Sequence, residues 1–312
     1  KVTGDTYTID PHVTSITVGA FANAPGLKKI KLPTGLEKVE EIGWPSIAAT
    51  PTLEAFVMDA GNAKFGVVDG VLFSKGPKRL LLYPEGKSGA TYTVPEGVEE
   101  ITSYGIAGNP YLTSIDLKDV TKVKISALVN LPKLKTITIP KNLKKKGLEE
   151  GAFEGCSSLE AYQVADGNTD FSADNGVLFS KDKTKLCYYP PAKEGEKYDI
   201  PSTVTEIGQK AFQGAVLLKS MVIPAKVDSI GIEAFRNMVN LEKVEFKAPA
   251  TIRILKADVF RACKNLKEVV LPASITELAS AFYECESLEK VTIPNGSKLK
   301  KIKDSAFATN KK

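Results

Sequence analysis

Residues 281–294, AFYECESLEKVTIP, contain the pattern that decides the fold. The pattern starts at an apolar residue, Phe282, and continues with Leu six residues later, apolar residues nine and eleven residues later, and Pro at position twelve. Copies of it recur along the chain. A pattern repeated at an interval of this size indicates a solenoid, in which each copy contributes one turn to a stack.

We call the first apolar residue of each copy its anchor and number the following positions from it. Apart from two longer intervals, the anchors are spaced by roughly 22 to 26 residues, and every copy that extends far enough has Leu at position six. The anchors are Phe21, Ile47, Ile106, Leu128, Phe153, Phe212, Phe235, Phe260, Phe282 and Phe307.

Positions nine and eleven, Val291 and Ile293 in the quoted copy, have the spacing of two side chains on one face of a β-strand. Pro at position twelve, such as Pro294, removes a backbone donor and limits that strand. The stretch before the anchor, for example residues 304–307, is compatible with a single turn of α- or 3-10 helix. We therefore predict an α/β fold, a right-handed solenoid with a curved parallel sheet and short helical or 3-10 returns.

Two long intervals, between residues 47 and 106 and between residues 153 and 212, contain the same insert. Residues 65–101 align without a gap on residues 171–207, and the segment GVLFSK occurs at 70–75 and again at 176–181. We predict a β-hairpin in each insert, at about 65–90 and 171–196, with strands at 71–73 and 80–83 in the first. Including the repeat-like pieces around them, we expect about twelve parallel strands and a single solenoid domain over residues 1–312.

The pattern resembles a known family, the BspA-type or Treponema pallidum-type leucine-rich repeat. Residues 207–212, IGQKAF, and 230–235, IGIEAF, carry the resemblance most clearly, and the copies anchored at Ile47, Ile106 and Leu128 depart from it because they lack Phe. The resemblance implies a leucine-rich-repeat solenoid. It also implies a bacterial surface or secreted protein, of a kind abundant in Bacteroidetes and often active in adhesion to host proteins or other cells.

The composition argues against two classes of partner. The chain of 312 residues has 42 Lys and Arg, 37 Asp and Glu and a net charge of +5, and the excess is spread along the chain. We expect no nucleic-acid partner from so dispersed a charge. We also expect no membrane span, since no apolar run approaches the roughly 18 residues that a membrane helix needs.

Candidate catalytic and metal-binding residues are few. His12 is the single histidine, so neither a Ser-His-Asp nor a Cys-His arrangement can be built without it. Cys156, Cys263 and Cys285 each lie three residues after an anchor, in a slot filled elsewhere by Ala or Met, which favours buried packing residues. A disulfide between Cys263 and Cys285, on neighbouring copies, is an alternative. The Asp-Gly pair at residue 69 and its counterpart at 174–176 indicate turns rather than calcium sites. We predict no catalytic residue, cofactor or metal.

The outward side of the predicted sheet carries alternating charges. In the last four complete copies, position eight is Ser220, Lys243, Glu268 and Lys290, so neighbouring strands bring opposite charges together. Three basic groups stand outside this balance, one on the strand after Leu27 and one in each insert. Our candidate partner-binding residues are Lys28, Lys29, Lys31, Lys75, Lys78, Arg79, Lys181, Lys183 and Lys185.

Two functions are compatible with this reading. The first is a non-enzymatic module at the cell surface or outside the cell, binding a protein of the host extracellular matrix or of a bacterial surface, or a glycan, through the sheet or the inserts. The second is an architectural spacer of the cell envelope without a ligand of its own. An apolar patch on the folded surface would favour binding, and a uniformly charged surface would favour the spacer.

Overall fold

The computed structural model describes residues 5–17, 20–21, 24, 26–39, 50–76 and 78–308. The chain forms two compact units, one of Lys1–Ser158 with Ala165–Asn168 and the other of Leu159–Val164 with Thr169–Lys312. Each is a β-solenoid built from short strands, and the described residues form about 12 turns, which agrees with the expected number if one main parallel strand is counted per turn. The predicted anchor Ile47 lies outside the described residues.

The first unit contains parallel sheets and one antiparallel insert. β1, β3 and β5 form one parallel sheet, as do β9, β12 and β15, while shorter parallel sets join β2 to β4, β8 to β10 and β13, and β11 to β14. β6, β7 and β8 pair antiparallel. These strands are β1 (Thr6–Thr8), β2 (Ser15–Ile16), β3 (Lys29–Leu32), β4 (Lys38–Val39), β5 (Ala55–Met58), β6 (Phe65–Val68), β7 (Val71–Lys75), β8 (Lys78–Leu82), β9 (Thr91–Thr93), β10 (Glu100–Ile101), β11 (Ile106–Ala107), β12 (Ser114–Asp116), β13 (Lys122–Val123), β14 (Leu128–Val129) and β15 (Thr136–Ile139).

The second unit has the same plan. β20, β22, β24, β26 and β28 form its main parallel sheet, and β19, β21 and β23 and then β25, β27 and β29 form two shorter parallel sets. β17, β18 and β19 pair antiparallel. These strands are β16 (Ala161–Val164), β17 (Phe171–Asp174), β18 (Val177–Ser180), β19 (Lys185–Tyr188), β20 (Lys197–Asp199), β21 (Glu206–Ile207), β22 (Ser220–Ile223), β23 (Ser229–Ile230), β24 (Lys243–Phe246), β25 (Ile254–Leu255), β26 (Glu268–Val270), β27 (Glu277–Leu278), β28 (Lys290–Thr292) and β29 (Lys301–Ile302).

The predicted helical returns are wrong. Among the described residues the one helical segment is a 3-10 turn at Lys145–Gly147. The residues two before and two after most anchors have positive φ, as at Lys210 (57°) and Gly214 (72°) on either side of Phe212. A right-handed helix requires negative φ at every residue, so these left-handed residues prevent a helix. The return is therefore a second, two-residue strand followed by a tight turn, and the fold is almost entirely β.

The left-handed residues have a structural role in this turn. The N–H groups of Lys210, Phe212 and Gly214 donate to the carbonyls of Ile232, Ala234 and Arg236 in the next turn, at 3.0, 2.7 and 2.9 Å. Alternating backbone conformation points every second N–H toward the neighbouring turn of the solenoid. The anchor turn thus forms its own ladder between turns, which satisfies buried backbone donors that a helix would have bonded internally.

The anchors of the second unit form a ladder of stacked rings. Ring centroids are 5.3 Å apart from Phe212 to Phe235, 5.0 Å from Phe235 to Phe260 and 5.4 Å from Phe260 to Phe282. These four rings are fully buried, and Phe307 continues the stack at 5.7 Å. Burying one such side chain stabilises the fold by about 1.5–3 kcal/mol.

The inserts contain anchors that the sequence pattern missed. The Tyr83 N–H donates to the carbonyl of Gly105 at 2.7 Å, and Tyr189 makes the same bond to Ala211. The Tyr189 ring stacks on Phe212 with centroids 5.0 Å apart. Each insert therefore includes a complete extra turn anchored by tyrosine, which does not match the repeat pattern because position six is Gly instead of Leu.

Three buried asparagines tie turns together. Asn109 donates from its amide to the carbonyls of Glu85 and Lys87, both at 2.9 Å, and its side-chain oxygen accepts from the N–H groups of Tyr111 and Leu112. Asn62 and Asn168 make comparable bonds at the start of the two inserts. All three side chains are buried, and each forms hydrogen bonds with several backbone groups that would otherwise be unsatisfied.

Candidate binding surfaces

The first group of predicted basic residues lies on and next to β3 and has acidic neighbours. Lys28 Nζ is 3.7 Å from the carboxylate of Asp5, and Lys31 Nζ is 2.9 Å from that of Asp59. The expectation that these three lysines have no balancing acidic neighbour is therefore wrong for two of them. The partners come from outside the strand positions considered in the sequence. Lys29, on the same strand, has an exposed side chain.

The insert residues are also largely engaged. Lys75 Nζ donates to the carbonyl of Asn62 at 2.6 Å. Lys183 Nζ is 2.6 Å from Asp174, and Lys185 Nζ is 2.8 Å from Glu206. The remaining three residues lie at strand ends, two at the start of β8 and one just after β18, and they are Lys78, Arg79 and Lys181. The basic residues thus lie on and beside β7 and β8 in the first unit and β18 and β19 in the second.

The predicted charge alternation on the main sheet of the second unit is confirmed. Lys243 is directly opposite Glu268, and Glu268 is opposite Lys290 on the next strand. In the adjacent row, Lys219 Nζ lies 2.5 Å from Glu196, and the hydrogen bond raises the pKa of the lysine. Exposed pairs of this kind contribute little stability each, so the row is a self-complementary, solvated surface.

One turn of the second unit runs obliquely between its neighbours. β24 pairs with β22 over four residues, from Lys243 to Phe246, but with β26 over two, Lys243 and Val244. After Phe246 the chain stays with the preceding turn, since the Lys247 N–H donates to the carbonyl of Ile223 at 3.0 Å. It then crosses over, because β25 pairs with β27 and belongs to a different sheet from β23. The oblique turn leaves an opening on each side.

The first opening is an apolar groove at the carboxyl ends of β24 and β26, which we call the strand-end groove. Its volume is about 660 Å³, and its walls include Phe246, Pro249, Val270, Pro272 and Pro294. The Val270 side chain is 56% exposed. Three charged side chains border the apolar surface, Lys243, Glu245 and Glu268. Its size lies within the range of ligand-binding pockets.

The second opening lies between β23 and β25, and we call it the β23–β25 slot. Its volume is about 440 Å³, and its walls carry Asp228, Ser229, Thr251, Arg253 and Lys256 as well as Ile230 and Ile254. The slot is closed at both ends. At one end the Thr251 hydroxyl lies 3.4 Å from the carbonyl oxygens of Ala225 and Val227. At the other end the Glu233 N–H donates to the carbonyl of Ala257 at 3.2 Å.

The titratable groups of the core offer no activated nucleophile in the part of the chain described. All four cysteines are buried and free. The thiols of Cys263 and Cys285 lie 3.2 and 3.0 Å from the anchor carbonyls of the preceding turns. Burial raises the pKa of Cys156 and of Cys285 to about 12, which disfavours the reactive thiolate. His12, on the surface, lies 2.9 Å from Asp10.

Metal clusters and membrane-spanning helices are both absent from the described residues between 5 and 308. No group of three or more His, Cys, Asp or Glu side chains there could hold a metal ion. No helix in that part of the chain is long and apolar enough to cross a membrane.

Family and structure comparisons agree with the repeat pattern. Residues 4–66, 86–175 and 187–312 match, in 6 copies, the family described as BspA type leucine-rich repeat region. The two stretches between the matches contain β7 and β18, the central strands of the antiparallel sets. No curated protein is significantly similar in sequence to the chain.

Three solved bacterial structures are similar in fold. A leucine-rich cell surface protein from Faecalibacterium prausnitzii is 22% identical with a TM-score of 0.68, over 99% of this chain and 91% of that one. The pneumococcal vaccine antigen PcpA is 22% identical with a TM-score of 0.66, over 97% and 76% of the two chains. A leucine-rich repeat protein from Eubacterium ventriosum is 20% identical with a TM-score of 0.57, over 99% and 83%.

Proposed function

Because the chain belongs to the BspA-type leucine-rich repeat family, we propose that it is a non-enzymatic, surface-exposed module that binds a protein partner at a host or bacterial surface. Repeat solenoids present extended surfaces for such contacts. A cell-surface or extracellular location is part of the proposal and is supported by one structural neighbour, the leucine-rich cell surface protein from Faecalibacterium prausnitzii. So is a single right-handed solenoid domain over residues 1–312.

The observation that carries the proposal is the strand-end groove. Elsewhere on the main sheet of the second unit, charges of opposite sign face one another, as Glu268 and Lys290 do. The groove instead presents the exposed Pro249 and Val270 and the half-buried Phe246 to solvent beside charged side chains. An apolar centre with a polar rim is the usual anatomy of a protein-binding surface. The basic groups at β3 and in the inserts are proposed as secondary contacts, for an acidic protein or glycan.

The experiment compares two matched surface variants. Purified chain is immobilised and individual extracellular-matrix proteins and bacterial surface proteins are passed over it. Val270→Glu places a charge in the groove, and Val68→Glu places one at a similarly exposed valine, 53% against 56%, on the first unit. We expect at least one protein to bind at micromolar concentration, and Val270→Glu, not Val68→Glu, to weaken it at least about tenfold, as for loss of an interface anchor. Absence of any binding, or equal effects of both variants, would contradict the proposal.

The alternative, an architectural spacer, is favoured by a different observation. Ion pairs join successive turns, including Lys185 with Glu206 at 2.8 Å and Arg261 with Glu284 at 3.1 Å. Arg261 also stacks over the Tyr283 ring at 4.8 Å. Such pairs between turns would stiffen a rod. A spacer has no need of the groove, so partner binding that depends on Val270 separates the two functions.

A further inference from the structure

The β23–β25 slot interrupts an otherwise regular backbone ladder. In the preceding turn, the Gly231 N–H donates to the carbonyl of Ile207 at 2.8 Å, and in the following turn the Ala279 N–H donates to that of Leu255 at 3.0 Å. The residue at the equivalent place between them is Lys256. No backbone hydrogen bond joins β23 to β25 in this described part of the chain. The two strands share one core, since Ile230 and Leu255 are both fully buried.

Each wall of the slot therefore carries unused main-chain groups. Backbone groups of successive residues in a strand point to opposite edges. The carbonyls of Arg253 and Leu255 face β27, where they accept from Thr276 at 2.7 Å and from Ala279. The N–H groups of Ile254 and Lys256 consequently face the slot. By the same alternation, the carbonyls of Asp228 and Ile230 face it from β23.

By the same alternation each wall offers donors and acceptors, including the N–H and C=O groups of Ile230 and of Ile254, and these match the two edges of an extended peptide. Because the slot is closed at both ends, the bound segment must be short and its two ends must turn out toward solvent. Between those ends it can accept hydrogen bonds along one edge from Ile254 and Lys256, and donate along the other to Asp228 and Ile230. This is recognition by strand addition, in which main-chain bonds supply affinity and alternate side chains supply specificity. The slot volume of about 440 Å³ falls within the range of natural ligand sites.

The charged side chains of the slot define the peptide further. Arg253 and Lys256 line it and are exposed, against one carboxylate, Asp228. Ile254 is exposed between the two cations and offers apolar surface. We propose that the slot binds an extended acidic peptide segment of a partner protein by strand addition. This inference rests on the proposed function, because it takes the chain to be a protein-binding module, but it uses a different surface from the strand-end groove.

The test uses the full chain labelled with ¹⁵N and a capped pentapeptide of alternating Glu and Val. Titration should shift the backbone amide signals of Ile230, Ile254 and Lys256 in a saturable way. A peptide of the same sequence with methylated backbone nitrogens should bind at least about tenfold more weakly, since it loses hydrogen bonds each worth on that order. A Lys–Val peptide should also bind more weakly, and the difference should shrink at high salt because screening weakens charge attraction.

Two variants separate this inference from the proposed function. Ile254→Pro removes one donor from the slot and should weaken the Glu–Val peptide, whereas Val270→Glu in the strand-end groove should leave its affinity unchanged. If Ile254→Pro fails to fold, the methylated peptide still tests the hydrogen bonds without altering the protein. Equal binding of the methylated peptide, signal shifts confined to the strand-end groove, or no shift at millimolar peptide would each overturn the proposal. Partner capture that depends on Val270 would survive that failure.

Discussion

The missing bonds across the β23–β25 slot predict an unusual tolerance of proline. Lys256 and Ala279 occupy equivalent places in successive turns, each directly after a two-residue strand and a buried leucine. The Ala279 N–H donates to Leu255 at 3.0 Å, whereas the Lys256 N–H faces the slot. Proline removes the N–H and places its ring where that hydrogen was. At residue 279 the ring meets a carbonyl oxygen, and at residue 256 it enters open space.

The expected difference follows from the one bond involved. Ala279→Pro breaks a backbone bond and leaves the Leu255 carbonyl buried without its partner, a cost of about 1–3 kcal/mol beyond that of the ring itself. Lys256→Pro, measured against Lys256→Ala to remove the effect of the charge, breaks no backbone bond. We therefore expect Ala279→Pro to lower the free energy of unfolding by about 1–3 kcal/mol more than Lys256→Pro does.

Urea denaturation followed by far-ultraviolet circular dichroism measures this difference. Solenoids can unfold in segments, so the midpoints and slopes of all four proteins, wild type included, need to be compared before free energies are extracted. A wild-type-like midpoint for Lys256→Pro together with a clear loss for Ala279→Pro supports the open slot. Equal losses would show that the Lys256 N–H is bonded in solution, and the strand-addition proposal would fall with it.

Three further predictions concern the core. Phe260→Ala should lower the free energy of unfolding by about 3–5 kcal/mol, because the buried ring stacks on two neighbours. Phe307→Ala should lower it clearly less in the same denaturation assay, because that ring is 36% exposed and stacks on one neighbour. Similar losses for the two variants would contradict the stacked ladder. Gly214→Ala should cost about 1 kcal/mol through φ alone, because the added methyl meets nothing within 4 Å, whereas Gly155→Ala should cost more, since its methyl would lie 2.2 Å from the Asn130 side-chain oxygen. The four cysteines should all react with a thiol reagent in denatured, unreduced protein and hardly at all in folded protein at neutral pH; fewer than four reactive thiols would reveal a disulfide.

The main sheet could be predicted because its signal is local. Positions eight, nine and eleven alternate between surface and core, so the opposite pairing of Lys243 and Glu268 followed from spacing alone. The anchor turns could not, since the left-handed conformation is adopted by residues as different as Lys210, Glu233 and Ala262. Their φ is imposed by hydrogen bonds to the next turn, which are tertiary contacts that no local propensity encodes.

The candidate surfaces were predicted less well, for a related reason. Ion pairs such as Lys31 with Asp59 join residues of neighbouring turns that occupy different repeat positions, so the charge pattern within one row does not predict them. The oblique turn did leave a trace: the interval from Phe235 to Phe260 is longer than its neighbours, and Lys247 stands where Pro is usual. Those signs indicate an irregular loop. They do not reveal that the chain pairs with the preceding turn before the loop and with the following turn after it, which leaves an opening on each side.

The solenoid confines changes of chain length to one place in each turn. The added hairpins, β6 with β7 and β17 with β18, and the oblique segment all follow position eleven and precede the strand that leads into the next anchor turn, while the distance from anchor to position nine is constant. Between Lys210 and Gly214 an added residue would shift every N–H off its partner, whereas a loop added after Pro224 would lengthen a connection at the small entropic cost of loop closure. The scaffold can therefore acquire new recognition loops by insertion at one edge without redesign of its interior, and a protein engineer could graft foreign peptides there.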